Sequence, residues 1–323
     1  MEATGRNPRI NYERVNYYET LNEDQFKARF RLTKIQFSEV LSQIENEIVQ
    51  TNLNKNEIAP NIQLLVALRF YATGCFLQVV ADFCGMCTKT AQQIVHRLSL
   101  AIAKQLFQKY VRIPRREEDL IKIMSQNFQV SGMIRVVGAL DCVHVKIQSY
   151  GGEDAELWRN RKGFFSINVQ CLVNSDLEIM DCVVRWPGST HDSTIFSHSR
   201  LKCRFDEMEF GNGLILGDRG YRNHRYLMTP LTNPITPAEV LFNEAHIRTR
   251  CMVERCFGCW GRMFPVKTMG TRFRKPERSI NVILATAVLY NITRRDKKKI
   301  PQGITHYLSI PQIDIIECQV LES

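Results

Sequence analysis

From residue 21 to about 104, apolar residues return every three or four positions, the period of helices with one face in a core. Phe26 and Phe30 mark a first helix. Thr33 is placed to cap a second, whose stripe is Phe37, Val40, Leu41, Ile44 and Ile48. Pro60 opens a third, "NIQLLVALRFYAT". The stretch "FLQVVADFCGMCTKTAQQIVHRLSLAI" (76–102) then predicts a helix, a turn at Gly85 and a second helix from near Thr88. That order is helix-turn-helix grammar, with Lys89, Thr90, Gln92, Gln93 and His96 on the polar side of the second helix. A plain αα-hairpin inside a bundle gives the same pattern.

Past "RIPRREED" (112–119), a linker by its proline and charges, the period changes from helical to strand-like. "IRVVGALDCVHVKI" (134–147), "SINVQCLVN" (166–174) and "EIMDCVVRW" (178–186) are successive β-branched runs, and "GLILGD" (213–218) is a fourth. Helical spacing returns over 242–264 and about 276–293. The expectation is a mixed α/β (α+β) sheet flanked by helices. A flexible N-terminus (1–20), in which Tyr12, Tyr17 and Tyr18 could still dock, precedes a helical domain (21–120). The sheet domain spans 130–300 and a C-terminal tail 301–323.

Composition narrows the function. The 323 residues carry a formal net charge of +10, which favours a polyanionic partner such as nucleic acid. "MEATGRNPRI" lacks the apolar run of a signal peptide, and "INVILATAVLYNI" (280–292) is too short to span a bilayer. An intracellular protein with reduced cysteines is expected. Cys84/Cys87 and Cys256/Cys259 have Cys-x-x-Cys spacing, but both lie in apolar helical patterns without histidines at finger spacing. Core packing is the expectation, and a zinc-dependent regulator is the alternative.

Three acids stand out. Asp141 interrupts an apolar strand, Asp218 ends another, and Glu254 lies within "CMVERCFGCW" among Met252, Val253, Cys256, Phe257 and Trp260. Carboxylates in apolar settings cost several kcal/mol unless cations or hydrogen bonds compensate. If the first and fourth strands are neighbours, both aspartates reach one sheet edge, where a packed helix could add Glu254. Such a trio suits two Mg²⁺ ions about 3.5–4 Å apart, the arrangement for in-line phosphoryl displacement. The bland alternative satisfies each acid separately: Asp141 by backbone amides, Asp218 as a turn residue, Glu254 by Arg250 or Arg255. Asp192, in "HDSTIF", reads first as a helix N-cap.

"GALDCVHV", "NRKGFFSINVQCLVN", "WPGSTHDSTIF", "LGDRGYRNHRYLMTPL" and "FNEAHIRTRCMVERCFG" occur in this order. They resemble the DDE nuclease of PIF/Harbinger transposases and the transposase-derived nucleases related to them, most closely over 134–265. The resemblance implies an RNase H-like fold and hydrolysis of DNA phosphodiesters with a divalent cation, Mg²⁺ or Mn²⁺. It places the catalytic triad on Asp141, Asp218 and Glu254, with Asp192 as a further metal ligand. His144 and His191 match family positions too, and hard Mg²⁺ makes them neighbours of the site rather than ligands. The chain departs from the pattern at Arg219, where relatives carry a small residue, and at "GCWGRMF", which lacks a lysine near Glu254.

"WRNRKGFF" (158–165) offers Arg159, Arg161 and Lys162 as phosphate contacts, and Lys89, Gln92 and His96 are the helix-turn-helix candidates for DNA. "RFRKPER" and "RRDKKK" are further basic clusters, suited to DNA or to nuclear import. The expected partner is DNA. The resemblance adds a Myb-like DNA-binding protein, and a homo-oligomer is compatible with the reading. The expected location is the nucleus, with the cytoplasm as a second. The competing function is a DNA-binding or adaptor protein that keeps the nuclease fold without turnover.

Overall fold

The computed structural model describes residues 14–48 and 58–299. Tyr12 and the expected 301–323 tail lie outside them. The first element, α1 (Tyr17–Thr20), lies within the stretch expected to be a flexible start. Tyr17 stacks on Phe83 at 4.5 Å, and Tyr18 meets Phe26 edge-on at 5.7 Å. Burying aromatic faces fixes this short helix, which lacks the length to be stable alone.

The helices α2 (Glu23–Phe30), α3 (Lys34–Ile48), α4 (Pro60–Thr73), α5 (Leu77–Phe83) and α6 (Thr88–Tyr110) follow the predicted stripes. Asn22 and Gln25 form a capping box on α2. Thr33 and Gln36 do the same for α3: the Gln36 N–H donates to Thr33 Oγ1 and the Thr33 N–H to Gln36 Oε1. Helix α6 is 23 residues long and buries Ala91, Ile94, Val95, Leu98 and Ile102, packing along the last helix, α12 (Pro276–Lys299).

Helix α7 (Glu117–Ser131) occupies a stretch read as linker and boundary. Its first turn is Glu117, Glu118 and Asp119, and Gly132 ends it at φ 80°. Acids at the N-terminus and a left-handed glycine after the last turn are helix signals that the proline and arginines of "RIPRREED" obscured. Asn127 of α7 donates to the carbonyls of Val136 and Val137, tying the helix to the sheet.

The sheet has five strands in the order β3-β2-β1-β4-β5: β1 (Val136–Lys146), β2 (Ser166–Val173), β3 (Ile179–Pro187), β4 (Leu214–Leu216) and β5 (Leu227–Met228). Strands β1–β3 form an antiparallel meander, while β4 lies parallel to β1 after the crossover through α8 (Asp192–Ser197) and α9 (Arg200–Asp206). This mixed sheet flanked by helices is the RNase H-like fold expected. One face, with α10 (Pro237–Met263), α11 (Val266–Met269), α12 and the N-terminal helices, forms a continuous core from Phe26 to Ile292. The other face packs Leu120 and Ile123 of α7, Phe196 of α8 and Leu201 and Phe205 of α9 over Val137, Leu140 and Leu172. Among the described residues no helix is long and apolar enough to cross a membrane.

Candidate metal centre

Strands β1 and β4 run together only as far as the pair Ala139↔Leu216. Two residues further on each lie Asp141 and Asp218, so the parallel register carries both aspartates past the last shared pair on the same side. Asp192 opens α8. It is not the N-cap: that position is His191, whose side chain makes no capping bond, so the capping reading is corrected. One carboxylate oxygen from each of Asp141, Asp192 and Asp218 lies within 4.8 Å of the other two, and all three residues are half-buried.

Asp192 is held there by β2. Asn168 Nδ2 donates to Asp192 Oδ1 at 2.9 Å and to the Thr190 carbonyl at 2.9 Å. Gln170 Nε2 donates to the Asp192 carbonyl at 3.3 Å and to the Tyr221 hydroxyl at 3.1 Å, and that hydroxyl also contacts Cys142 Sγ at 3.3 Å. Asn168 and Gln170 are both about 1% exposed. Their side-chain oxygens, Asn168 Oδ1 and Gln170 Oε1, have no protein partner. Neither of these two residues nor Tyr221 stood out in the sequence as a site residue. The available signal was the alternation Ser166, Asn168, Gln170 within an otherwise apolar strand.

Asp218 is set by the turn that follows it, where the Gly220 N–H donates to Oδ1 at 2.9 Å. A Cβ on Gly217 would come within 2.9 Å of the Tyr221 ring, so glycine there lets that ring pack beneath the turn. Arg219 is exposed beside it.

Asp141 sits between opposing influences. Burial pushes its carboxyl up to about 7; the Arg250 guanidinium and the Cys142 N–H pull it down, and Asp218 and Asp192 push it further up. Its Oδ1 accepts from the Cys142 N–H at 2.7 Å and its Oδ2 from Arg250 Nη1 at 3.1 Å.

Glu254 does not enter the three-aspartate group. Its Oε1 pairs with Arg250 Nη2 at 2.7 Å, and its side chain is 39% exposed rather than buried. Arg250 therefore joins Glu254 to Asp141. Both sit on α10, whose start is sharpened by Pro237 and the Thr236–Glu239 capping box.

Carboxylate oxygens alone make up the cluster, the donor set that hard divalent cations such as Mg²⁺ or Mn²⁺ take. Like charges this close are unfavourable without a cation. The residues fit the group. No cysteine joins a three-ligand cluster among the described residues: Cys84 and Cys256 are buried, Cys87 is exposed and Cys259 half-buried.

The DNA-contact candidates scatter. Arg159 pairs in two-pronged fashion with Glu156, at 2.7 and 3.1 Å, and covers the Phe165 ring. Arg161 and Lys162 are exposed on a turn anchored by buried Asn160, whose Nδ2 donates to Ser166 Oγ at 3.0 Å. They sit close enough to His144 to oppose its protonation together with burial, while Asp192 favours it. On α6, Lys89 is exposed and Gln92 half-buried. His96 instead packs its ring 4.5 Å from Phe273 with both nitrogens buried, and burial lowers it to about 4.

The family model described as "DDE superfamily endonuclease" matches residues 140–291. The human protein named "Putative nuclease HARBI1" is 31% identical over 265 residues, 76% of this chain and 72% of its own. The rat protein of that name is 32% identical over 249 residues, 73% of this chain and 68% of its own. "Protein ALP1-like" of Arabidopsis thaliana is 23% identical over 305 residues, 87% of this chain and 73% of its own. No solved structure matches. The acid-bearing sheet, the match across it and relatives aligned over most of both chains place this protein in the DDE superfamily endonuclease family, alongside the proteins named "Putative nuclease HARBI1".

Proposed function

We propose that this protein is a divalent-metal-dependent DNA endonuclease of the Harbinger transposase type, cutting phosphodiester bonds at the Asp141–Asp192–Asp218 cluster. The single observation that carries the reading is the meeting of these three acids at one point from β1, α8 and the end of β4. A cation bound there, Mg²⁺ or Mn²⁺, would polarise the phosphate and lower the pKa of an attacking water. The chain's own residues do the rest. Asn168 and Gln170 orient Asp192, and the Gly220 N–H orients Asp218. Arg250 holds Asp141 and also Glu254, the third acid of the family triad, at the margin of the cluster.

Arg161 and Lys162, beside His144, are suited to guide a DNA strand towards the acids, as is the exposed series Arg219, Arg222 and Arg225. Lys89 and Gln92 would be contacts of a second DNA segment. The +10 charge supports a DNA partner. Nuclear location and a Myb-like partner protein follow from the Harbinger reading and from the basic clusters.

The test is nicking of supercoiled plasmid by the purified protein with Mg²⁺ or Mn²⁺ and with EDTA. Metal-dependent nicking lost in Asp141→Asn and Asp192→Asn is expected; nicking that survives either change would refute the site. A second reading, an adaptor that binds DNA without cutting it, draws on Arg219 beside Asp218. Metal-dependent DNA binding without nicking, with nicking gained in Arg219→Ala, would favour it.

A further inference from the structure

His144 stands beside the acidic cluster, yet its side-chain hydrogen bond leads away from it, to Ser166. It lies on β1 directly opposite Asn168 of β2, so the two side chains share a face, with Cβ atoms about 4.5–5.5 Å apart. Asn168 holds the Asp192 carboxylate, which puts His144 one side chain away from the cluster. On its other flank are Lys146, whose Nζ lies 5.2 Å from the Phe164 ring centre, and the turn with Arg161 and Lys162. His144 meets the same Phe164 ring edge-on at 6.4 Å.

A chain of donors fixes which ring nitrogen carries hydrogen. Asn160 Oδ1 accepts from the N–H groups of Lys162 and Phe164, at 3.0 and 3.3 Å. The other end of that amide is therefore the donor, and it gives a hydrogen to Ser166 Oγ at 3.0 Å. Ser166 is fully buried, and its single hydroxyl hydrogen goes to its remaining partner, His144 Nδ1, at 3.0 Å. A Cβ on Gly188 would collide with Ser166 Oγ, so the backbone closes tightly over this hydroxyl. The neutral ring then carries its hydrogen on Nε2. That nitrogen has no hydrogen-bond partner among the described residues and is not shut away from solvent. Burial holds the imidazole below its ordinary range; Asp192 pushes it up, and Arg161 and Lys162 push it down again. At neutral pH the ring is uncharged, a donor that does not repel a cation at the acids.

From this geometry we propose that His144 contacts the DNA substrate, donating its Nε2–H to a backbone phosphate oxygen between the acids and the Arg161–Lys162 turn. The proposal rests on reading DNA as the substrate at those acids. It gives Asn160 two tasks, since one amide both shapes the basic turn and sets the tautomer of His144.

The experiment is binding of the full-length protein to a fluorescently labelled DNA duplex of mixed sequence, by anisotropy with Ca²⁺ across a salt series. His144→Asn keeps a partner for Ser166 but reaches no further than Nδ1. Its affinity should fall by about 10–100-fold, the worth of one hydrogen bond to a charged group. The slope of log affinity against log salt should stay that of the wild type, because no charge is lost. His144→Gln places its amide where Nε2 was and should recover most of the affinity. A role confined to holding Ser166 reverses that order, with His144→Asn tolerated and His144→Gln not. Circular dichroism checks folding; if His144→Asn does not fold, His144→Phe, which has no donor, takes its place. Undiminished binding in the donor-less variant, an equal loss in His144→Gln, or a salt slope lowered by about one would overturn the proposal. Wild type that binds the duplex but does not nick plasmid with Mg²⁺ would remove the nuclease reading, and the variants would still decide the His144 contact. Wild type that binds no duplex would remove both.

Discussion

The two faces of β2 are equally buried and chemically opposite. Asn168 and Gln170 reach Asp192 at the start of α8, and Ser166 on the same side meets Asn160 and His144, while Ile167, Val169, Cys171 and Val173 face the large core shared with the N-terminal helices. On the polar face the amide donors of Asn168 and Gln170 have named acceptors, and both amides reach Asp192, a residue that would hold a cation. Buried on the apolar side is a charged residue, Lys267, which donates to the Phe257 carbonyl at 2.9 Å and sits 5.1 Å from the Phe257 and Trp260 ring centres. Burial lowers Lys267 to about 8. The contrast teaches that burial alone does not mark function in this fold. What separates the faces is whether buried polar groups are linked to one another and aimed at exposed chemistry.

The harshest way to break the comparison is at the acids. Asp141→Asn, Asp192→Asn or Asp218→Asn should reduce metal-dependent nicking by more than the roughly 10–100-fold typical of residues that only support a ligand. Plasmid nicking measures this, and calorimetry should show Mn²⁺ affinity falling with it. On the apolar face Ile167→Ala should lower stability by about 2–5 kcal/mol through cavity formation. In denaturant melts that loss should come with Mn²⁺ affinity unchanged; a large affinity change would mean that the faces are not separable.

A smaller effect is expected from Asn168→Leu or Gln170→Leu. Each removes the donors that hold Asp192, and Mn²⁺ binding should weaken by about 10–100-fold. Retained tight binding would show that Asp192 finds its place without β2.

The mildest signature is in pH. For Asp141, raised to about 7 when folded, the metal-free protein binds a proton that the unfolded chain has already lost above its ordinary value near 4. Its contribution is thus fully present below about 4 and is lost as pH rises through about 7. Asp181 on β3, raised by burial to about 6, acts in the same direction. Lys267 has the opposite sign, because between about 8 and its ordinary 10.5 the unfolded chain holds the extra proton. Its contribution is gained as pH rises through that window. Thermal melts in EDTA should show both slopes, with Lys267→Met flattening only the alkaline one.

Much of the framework was legible along the chain. Periods of 3.6 and 2 located every long helix but α7 and all three long strands, because each buries one face against a neighbour. Helix α7 was hidden because proline and charge before residue 117 read as linker. Strand β5 is two residues long, too short for any period. The carboxylates at 141 and 218 were legible as acids in strands, where they are depleted. The Asn168–Gln170 ladder was not, since alternation in a strand is equally the mark of a solvent-facing side.

Residue order settled which side chains were available and which segments would be helix or strand, since those preferences act over one or two turns. It also made Arg250 and Glu254 neighbours, four residues apart on one helix face. Only the folded arrangement decided that β4 would run beside β1 in the register Ala139↔Leu216, that Asp192 would complete the trio, and that Arg250 would reach Asp141 as well as Glu254. Those are contacts between segments far apart in sequence. Their geometry depends on how sheet and helices close around a common core, which no local pattern specifies.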